Sequence, residues 1–269
     1  MKKKEHINYC LLLVISAVRC IWQAKKPEIF ITLNHFFMNI AITGASKGIG
    51  KAIAEIFAAE GHHLFLCARM EASLYQTMED LQKKYPAAII KAKPFDLSRP
   101  AEAKAFGTWC LEYGVPDVLV NNAGVFEPGS VHNEPEGLLE SQIASNLYSA
   151  YHVTRTVLPW MMEKRAGHIF NICSIASLHA YPNGGAYSIS KFALHGFSKN
   201  LREELKPFGI KVTAVHPGAV MTDSWGGFDN SKKRIMEATD IAKMVYAAAQ
   251  LSPQACVEDI LIRPLLGDL

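Results

Sequence analysis

Three side chains in the stretch 174–191 have the types and the spacing for acid–base chemistry on a carbonyl group. Tyr187 and Lys191 are four residues apart at the start of a predicted helix, so both side chains leave the same face of that helix. A free tyrosine has a pKa of about 10, and a nearby ammonium group favours the phenolate. Lowering this pKa to about 7 requires roughly 4 kcal/mol of differential stabilisation. Ser174 ends a predicted buried strand, where its hydroxyl could orient a carbonyl oxygen beside the tyrosine.

This pattern is weak by itself, because ordinary helices often carry a tyrosine and a lysine at the same spacing. Its meaning depends on the elements that position it, which the sequence predicts as alternating apolar strands and amphipathic helices. Strands are predicted at 40–43, 63–67, 88–92, 117–120, 168–173, 210–215 and 258–264. The alternation predicts an α/β fold with a doubly wound, Rossmann-like parallel sheet of about seven strands, flanked by helices on both faces in a single domain.

A glycine-rich turn from Gly44 to Gly50 lies between the first predicted strand and a helical pattern that continues to Ala59. Strand, glycine turn and helix are the context that a dinucleotide-binding loop requires. The glycines let the backbone approach a pyrophosphate, and the helix N terminus offers free N–H groups and a positive dipole end. The spacing is T-G-x-x-x-G-x-G and not the commoner G-x-G-x-x-G, so the turn alone does not establish a nucleotide site.

The residues after the second predicted strand favour a phosphorylated dinucleotide. Many nucleotide folds place an acid about twenty residues after the glycine turn, where it binds the ribose hydroxyls. This chain has Ala68 and Arg69 there, and an arginine grips a 2′-phosphate that an acid would repel. Lys47 adds a second cation on the same side, so we infer NADP(H) and not NAD. The alternative for Arg69 is a solvated residue at the end of a strand.

Polar residues after the third and fourth predicted strands extend the candidate nucleotide site. Asp96 could accept a hydrogen bond from an adenine amino group, and Ser98 could cap the helix predicted at 100–113. The run 121–124, Asn-Asn-Ala-Gly, suits backbone approach to a ligand, although an ordinary turn has the same composition. Asn146 lies in a predicted helix, where by itself it is a neutral polar residue or one that bends the helix and holds a water.

Composition and charge exclude several partners. The 269 residues carry a formal net charge of +3, and 49% are hydrophobic, enough for a sizeable core. Residues 1–37 hold six basic and two acidic side chains, a net charge of +4, which leaves −1 for the rest of the chain. The chain lacks a basic stripe with interleaved aromatic residues, so we expect no nucleic-acid partner. The six cysteines form no C-x-x-C pair and have no accompanying histidine cluster, so we expect a reducing compartment and no metal site.

Residues 1–37 have three open interpretations. The basic start and the apolar run 9–18 resemble an exported leader, but a small-x-small cleavage site is missing. A membrane-associating segment is the second interpretation, although the run is shorter than the about 20 residues that span a bilayer. The third is an upstream extension from a misassigned translation start, because Met38 directly precedes the first predicted strand. We expect 1–37 to be an N-terminal extension and 38–269 to be the NADP-binding domain.

Taken together, the motifs resemble those of the short-chain dehydrogenase/reductase family over residues 38 to about 264. No single motif carries this resemblance, which rests on their order and their separations. In chain order the motifs are Thr43–Gly50, Asn121–Gly124, Asn146, Ser174, Tyr187, Lys191 and Pro217-Gly218.

The resemblance implies a role for each catalytic candidate. Tyr187 is expected to be the general acid/base that protonates the carbonyl oxygen as NADPH delivers hydride to carbon. Lys191 is expected to lower the tyrosine pKa and to bind the nicotinamide ribose, while Ser174 orients the carbonyl group. Asn146 is expected to hold a water that links Lys191 to solvent, in place of the neutral role suggested above.

The loop after the sixth predicted strand is expected to close over the nicotinamide, where Thr222 matches the family residue that binds the carboxamide. His216, directly before this loop, is expected to be a strand-end residue without a catalytic role. The complete set of expected cofactor contacts is Gly44, Ser46, Lys47, Gly48, Ile49, Gly50, Arg69, Asp96, Leu97, Asn122, Ala123, Gly124, Tyr187, Lys191, Pro217, Gly218, Val220 and Thr222.

We therefore predict an NADP(H)-dependent oxidoreductase that reduces a ketone, aldehyde or 3-oxoacyl group to an alcohol. The alternative is a non-catalytic dinucleotide-sensing or scaffolding protein with the same fold, against which the intact catalytic set argues. We expect a homodimer or homotetramer, a cytoplasmic location and no membrane partner. The Gly- and Lys-rich segment 225–236 lies where the family carries a lid over the substrate, and its shortness predicts an open or small-substrate pocket.

Overall fold

The computed structural model describes residues 37–222 and 225–269. The leader, membrane-segment and extension interpretations concern residues outside these ranges, and the domain boundary at 37/38 stays a prediction. Residues Phe37–Leu269 belong to one compact unit. Within the described ranges, no helix combines the length and the apolar character needed to cross a bilayer.

The described residues form a seven-stranded parallel sheet. Its strands are β1 Asn39–Thr43, β2 His63–Cys67, β3 Ile90–Ala92, β4 Val118–Asn121, β5 Gly167–Ile172, β6 Ile210–Pro217 and β9 Asp259–Ile262. Their order in the sheet is β3-β2-β1-β4-β5-β6-β9. Two short strands, β7 Val220–Met221 and β8 Met236–Glu237, form a separate parallel pair. The predicted doubly wound sheet is confirmed. Its strand order reverses between β1 and β4, where a crevice opens at the carboxyl ends of the strands.

Helices cover both faces of this sheet. They are α1 Gly48–Ala59, α2 Glu71–Lys84, α3 Pro100–Leu111, α4 Leu138–Ile143, α5 Ser149–Lys164, α6 Gly185–Leu205 and α7 Ala238–Ala249. A π-helical segment, Ala144–Tyr148, joins α4 to α5. A short 3-10 turn, Ile175–Ser177, follows β5. The helix that carries the predicted tyrosine–lysine pair is α6, which is 21 residues long.

The alternation of side chains along the strands fills a core on each side of the sheet. Ile40 and Ile42 of β1 pack with side chains of α1, α2 and α7, whereas Ala41 packs with those of α3, α5 and α6. All three residues are fully buried. Burial of both faces explains why β1 is a continuous apolar run in the sequence. Packing from both sides also holds the strand ends, and the residues that follow them, at fixed separations.

Two local predictions are wrong. The third strand is shorter than predicted, Ile90–Ala92, because Pro86 begins a turn that occupies the residues before it. Ser98 does not cap the following helix, whose N-cap residue is Arg99 and which has no side-chain cap. Instead, the backbone N–H and the hydroxyl of Ser98 donate to Oδ1 of Asp96, at 3.2 and 2.7 Å. The Asp96 side chain thus forms a local turn that uses the predicted capping residue.

Candidate active site

The glycine turn packs against the strand that it follows. Gly44 has a φ of +64°, a left-handed conformation that glycine adopts without steric cost. A Cβ atom on Gly50 would lie 2.3 Å from the carbonyl oxygen of Gly44 and 2.5 Å from Nδ2 of Asn122. Glycine at position 50 therefore allows α1 to begin directly against the turn.

The N terminus of α1 fits a phosphate group. Its N-cap residue, Lys47, makes no side-chain capping hydrogen bond, and the first turn contains no acidic residue. The first N–H groups of a helix have no partner within the helix and lie at the positive end of its dipole. The turn around Gly48 therefore offers donors to an anion where the sequence predicts the pyrophosphate.

Thr43 and Asn122 join the glycine turn to the end of β4, a link that the sequence analysis missed. The Thr43 hydroxyl oxygen accepts hydrogen bonds from the N–H groups of Asn122 and Ala123, both at 2.9 Å. The Asn122 side-chain amide donates to the carbonyls of Thr43 and Gly44, at 2.9 and 3.0 Å. These four bonds cross the crevice between β1 and β4 and fix its width. Thr43, which directly precedes the first glycine of the turn, is the sequence feature that could have indicated this link.

Two exposed cations, Lys47 after β1 and Arg69 after β2, line the cleft on the side of the sheet where β2 and β3 lie, which we call its β2 end. Asp96 lines the same end. Burial raises the pKa of the Asp96 carboxyl, but hydrogen bonds from Ser98 and the charges of Arg69 and Arg99 outweigh burial and hold this pKa below its ordinary value. This end therefore combines two cations, which suit a phosphate, with one ionised carboxylate.

Tyr187, Ser174 and Lys191 line the same cleft beside β5, two strands beyond β1 in the sheet, which we call its β5 end. Nζ of Lys191 lies 5.8 Å from the centre of the Tyr187 ring, one turn away on α6. The Ser174 hydroxyl is near enough to Tyr187 to lower the pKa of its phenol, and it accepts a hydrogen bond of 3.1 Å from the N–H of Ala176. Lys191 donates from Nζ to the carbonyl of Ile172, at 2.8 Å. The end of β5, the turn after it and the first turns of α6 therefore position the three groups together.

Burial dominates the protonation of this group. It raises the pKa of Tyr187 to about 12, against a smaller lowering by the Ser174 hydroxyl. It also lowers the pKa of Lys191 to about 8. The acidification of the tyrosine expected from the lysine is not produced by the described residues, because burial raises this pKa and the only group that lowers it is Ser174. The Tyr187 hydroxyl is protonated at neutral pH, the form that can give a proton to a carbonyl oxygen.

Asn146 is fully buried in the π-helical segment between α4 and α5. Its Oδ1 accepts from the N–H of Val125 at 2.8 Å, and its Nδ2 donates to the carbonyl of Val125 at 3.0 Å. Nδ2 also donates to Oε1 of Gln142 and to Oγ of Ser190, both at 2.9 Å. The side chain thus fixes the segment after β4 to α6, close to the catalytic candidates. π-Helical segments are often found at functional sites.

These features surround one cleft of about 1190 Å³. Among the expected cofactor residues, every one except Gly50 lines this cleft. Gly50 lies beneath the glycine turn. Asn146 is likewise outside the lining, although the neighbouring Ser145 and its partner Val125 belong to it. The structure therefore brings the predicted site residues together around one cleft, and Gly50 and Asn146 lie behind its wall.

Aromatic and C-terminal residues that the sequence could not place complete the cleft beside Tyr187. The ring of Phe126 meets the Tyr187 ring edge to face, with centroids 4.8 Å apart. Asp268 accepts a hydrogen bond of 3.1 Å from the N–H of Ala219, in the expected nicotinamide loop. Its other oxygen accepts from Nε of Arg263 at 2.7 Å. The last described residues thus border the cleft, and no motif marks them.

Comparison with known proteins gives concordant matches. Residues 38–233 match the family model for short chain dehydrogenases. The chain is 34% identical over 239 residues to the sepiapterin reductase of Chlorobaculum tepidum, a match that covers 86% of this chain and 97% of that relative. An alcohol dehydrogenase from the archaeon Thermococcus sibiricus, complexed with 5-hydroxy-NADP, superposes with a TM-score of 0.78 at 26% identity, covering 85% of this chain and 97% of that one. A short-chain dehydrogenase from Sphingobium yanoikuyae, in complex with NADPH, gives 0.73 at 30% identity, covering 83% and 87%.

Proposed function

This chain belongs to the short-chain dehydrogenase family, and from that premise we propose that it is an NADP(H)-dependent oxidoreductase that reduces a ketone, aldehyde or 3-oxoacyl group to an alcohol. One observation carries the proposal. Tyr187, Ser174 and Lys191 line the same cleft as Lys47 and Arg69, and the strand order β2-β1-β4-β5 separates Ser174, after β5, from Arg69, after β2. A dinucleotide that extends along this cleft would bring its reactive ring to the tyrosine.

The described residues fit NADP(H) along the whole cleft. The turn around Gly48 and the N terminus of α1 would hold the pyrophosphate. Lys47 and Arg69 would hold the 2′-phosphate, since an arginine fork matches phosphate geometry. Lys191 and the loop at 217–222 would hold the nicotinamide end. Structures of similar proteins that contain NADP or NADPH support this choice of cofactor.

NADPH, when bound, supplies the hydride for the carbonyl carbon. The protein has to orient the carbonyl group and provide a proton to its oxygen. Tyr187 donates this proton from its hydroxyl, and Ser174 hydrogen-bonds the carbonyl oxygen and keeps it beside the tyrosine. Lys191 then stabilises the phenolate that remains, until a proton returns from solvent.

Aromatic side chains line the cleft near the catalytic candidates. Phe126 packs against Tyr187, and Tyr181 and Trp225 line the same cleft together with Ile175 and His179. Flat aromatic side chains favour contact with planar or apolar substrates. This lining supports ketones and aldehydes with a ring or an acyl chain beside the carbonyl. Because one relative is a sepiapterin reductase, pterin ketones belong among the first compounds to test.

The proposal is tested by following NADPH oxidation with a panel of ketones, aldehydes, diketones, pterin ketones and 3-oxoacyl thioesters. We expect at least one class to be reduced, with NADPH preferred over NADH, and we expect Ser174→Ala to lower turnover for that class. Tight NADPH binding without turnover of any class would contradict the proposal and favour a dinucleotide sensor.

We also propose that the protein is a homodimer or homotetramer. Four large apolar side chains on the π-helical segment, α5 and α6 are 43–51% exposed, namely Tyr148, Trp160, Ile189 and Phe192. Exposed apolar side chains on neighbouring helices are typical of an interface. Sedimentation equilibrium should give two or four times the chain mass, and Trp160→Glu should shift the species toward the monomer. A monomer at all concentrations would contradict this proposal.

A cytoplasmic location is part of the same proposal. Cys67, Cys110 and Cys173 are free and buried. Burial raises the pKa of the Cys173 thiol to about 12, so that it behaves as a small apolar residue. Free buried thiols suit a reducing compartment. Cell fractionation tests the location, and recovery of the protein outside the cytoplasm would contradict it.

A further inference from the structure

Two histidines and an aspartate from three separate elements meet behind the segment that carries Ser174. They are His195 on α6, His216 on β6 and Asp259 at the start of β9, and their possible ligand atoms all lie within 4.8 Å of one another. Oδ1 of Asp259 lies 2.9 Å from Nε2 of His216 and 3.3 Å from Nε2 of His195. We refer to these three residues as the His-His-Asp cluster. The reaction proposed above uses none of them.

The hydrogen bonds of His216 determine which of its ring nitrogens is protonated. Nδ1 lies 2.9 Å from Oγ of Ser177 and 3.3 Å from the carbonyl oxygen of Ser174. When the Ser177 hydroxyl donates to that carbonyl, both neighbours of Nδ1 are acceptors and Nδ1 is the donor. In this arrangement Nε2 faces Oδ1 of Asp259 at 2.9 Å, and either a proton or a metal ion between the two atoms stabilises the contact.

His195 adds a second imidazole nitrogen to the cluster. Its Nε2 is buried and has no hydrogen-bond partner among the described residues, although Oδ1 of Asp259 lies 3.3 Å away. A buried polar atom without a hydrogen bond calls for an explanation, and a bound ion is one. Imidazole nitrogens are common ligands of divalent transition metals.

We propose that the His-His-Asp cluster binds a divalent transition-metal ion of the zinc class, with Nε2 of His195, Nε2 of His216 and a carboxylate oxygen of Asp259 as ligands. Tetrahedral zinc has bonds of about 2.0–2.1 Å to nitrogen and oxygen, which separates its ligand atoms by about 3.3 Å. The present 2.9 and 3.3 Å separations from Asp259 are close to this value. Two neutral imidazoles and one carboxylate are ligands that zinc prefers.

The surroundings of the cluster suit a structural ion with access to solvent. The His216 side chain is fully buried and His195 is 11% exposed, whereas Asp259 is 49% exposed. The ion can therefore enter from the Asp259 side, and water can complete its coordination. Through Nδ1 of His216 the ion would stiffen the segment 174–177, and with it the position of Ser174. This site was not expected from the sequence, which predicts no metal site.

The proposal is tested with Zn²⁺ and the full chain. The protein is stripped with a chelator, titrated with Zn²⁺ by calorimetry, and desalted for metal analysis. After desalting, we expect the wild type to retain one zinc ion per chain beyond the number that Asp259→Asn retains. Asp259→Asn is chosen because its side chain is largely exposed and the amide keeps its shape. Affinity should fall about 100-fold in Asp259→Asn and in His195→Gln, and saturating Zn²⁺ should raise the Tm of the wild type alone, by roughly 5 °C.

His132→Gln is the matched control, since it removes an exposed histidine outside the cluster and should leave Zn²⁺ binding and Tm unchanged. Circular dichroism checks that each variant is folded. Co²⁺ provides an independent readout, because visible d–d absorption that disappears in Asp259→Asn reports coordination by this cluster. Equal Zn²⁺ binding in the wild type and Asp259→Asn would overturn the proposal and leave the cluster as a hydrogen-bond network linked by a proton.

Discussion

The ammonium nitrogen of Lys191 lies 5.8 Å from the centre of the Tyr187 ring and donates a 2.8 Å hydrogen bond to the last carbonyl of β5. This bond ties the helix that carries both residues to the strand that leads to Ser174. As a result, the phenol of Tyr187, the amine of Lys191 and the hydroxyl of Ser174 are positioned by a helix and a strand that are bonded to each other. Each prediction below changes one part of this arrangement or of the cofactor cleft beside it.

Gly50→Ala should weaken cofactor binding and destabilise the fold. The new Cβ would lie 2.3 Å from the carbonyl oxygen of Gly44, a backbone atom that cannot move without distorting the glycine turn. We expect at least a tenfold loss of NADPH affinity and a loss of about 1–3 kcal/mol in the free energy of unfolding. Gly196→Ala on α6 is the control, because a Cβ there meets nothing within 4 Å. It should stabilise the helix by about 0.5–1 kcal/mol, and equal effects of the two changes would contradict this account of the turn.

Asn146→Ala should lower both stability and turnover. The change leaves the half-buried N–H and carbonyl of Val125 without their partner and empties the fully buried position of the Asn146 side chain, and each unsatisfied group costs about 1–3 kcal/mol. Urea unfolding should show a loss of about 3 kcal/mol. Asn133→Ala, at an exposed position, should change stability by less than about 0.5 kcal/mol. An Asn146→Ala variant as stable as Asn133→Ala would show that the buried network is not structural.

Arg69→Asp should reverse the cofactor preference. The aspartate would repel a 2′-phosphate and could accept hydrogen bonds from the ribose hydroxyls of NADH. The ratio of kcat/KM for NADPH to that for NADH should fall at least about 100-fold, which corresponds to roughly 2.7 kcal/mol. Arg155→Asp makes the same charge change at an exposed site on α5, outside the cleft lining, and should leave the ratio unchanged. An unaltered preference in Arg69→Asp would mean that Arg69 does not bind the adenosine end.

The buried Lys191 should give the free enzyme a distinct pH dependence of stability. Burial lowers its pKa from 10.5 to about 8, so between these values the unfolded chain binds more protons than the folded one. Stability therefore rises with pH across this window. Relative to Lys191→Met, the wild type should gain about 2 kcal/mol between about pH 8 and pH 9.5.

Chemical unfolding at a series of pH values below 10 measures this gain and avoids the titration of Tyr187, whose raised pKa acts in the opposite direction at higher pH. Lys243→Met, at an exposed position on α7, is the control and should show a constant difference from the wild type. A constant difference for Lys191→Met as well would contradict the lowered pKa.

The sheet, the glycine turn and the placement of Tyr187 on a long helix could be predicted because local patterns determine them. Apolar runs bounded by glycine and proline mark the strands, and the spacing of Tyr187 and Lys191 matches a helical turn. The sequence also placed Arg69 at the end of the second strand, where the structure has it lining the cleft. The predictions that were wrong concern single residues. Ser98 was predicted to cap the helix that follows it, but its hydroxyl instead donates to the carboxylate of Asp96, two residues earlier.

What could not be predicted depends on contacts between distant elements. The side chain of Asn146 bonds the peptide of Val125, which precedes it by 21 residues, and no local pattern indicates this contact; the water that Asn146 is expected to hold stays a prediction. The pKa of Tyr187 was expected to fall because the sequence shows a neighbouring lysine but not the desolvation that raises it. The His-His-Asp cluster draws on α6, β6 and β9, and no spacing in the sequence relates these elements.

The most direct test of the central claim is Tyr187→Phe, which removes only the proposed proton donor. The phenylalanine ring retains the edge-to-face contact with Phe126, so the cleft should keep its shape. With a substrate from the NADPH-oxidation screen, we predict that kcat falls by about 10²–10⁴-fold. The Kd for NADPH should stay within about twofold of the wild type. Turnover within a few-fold of the wild type, with cofactor bound normally, would show that another group supplies the proton.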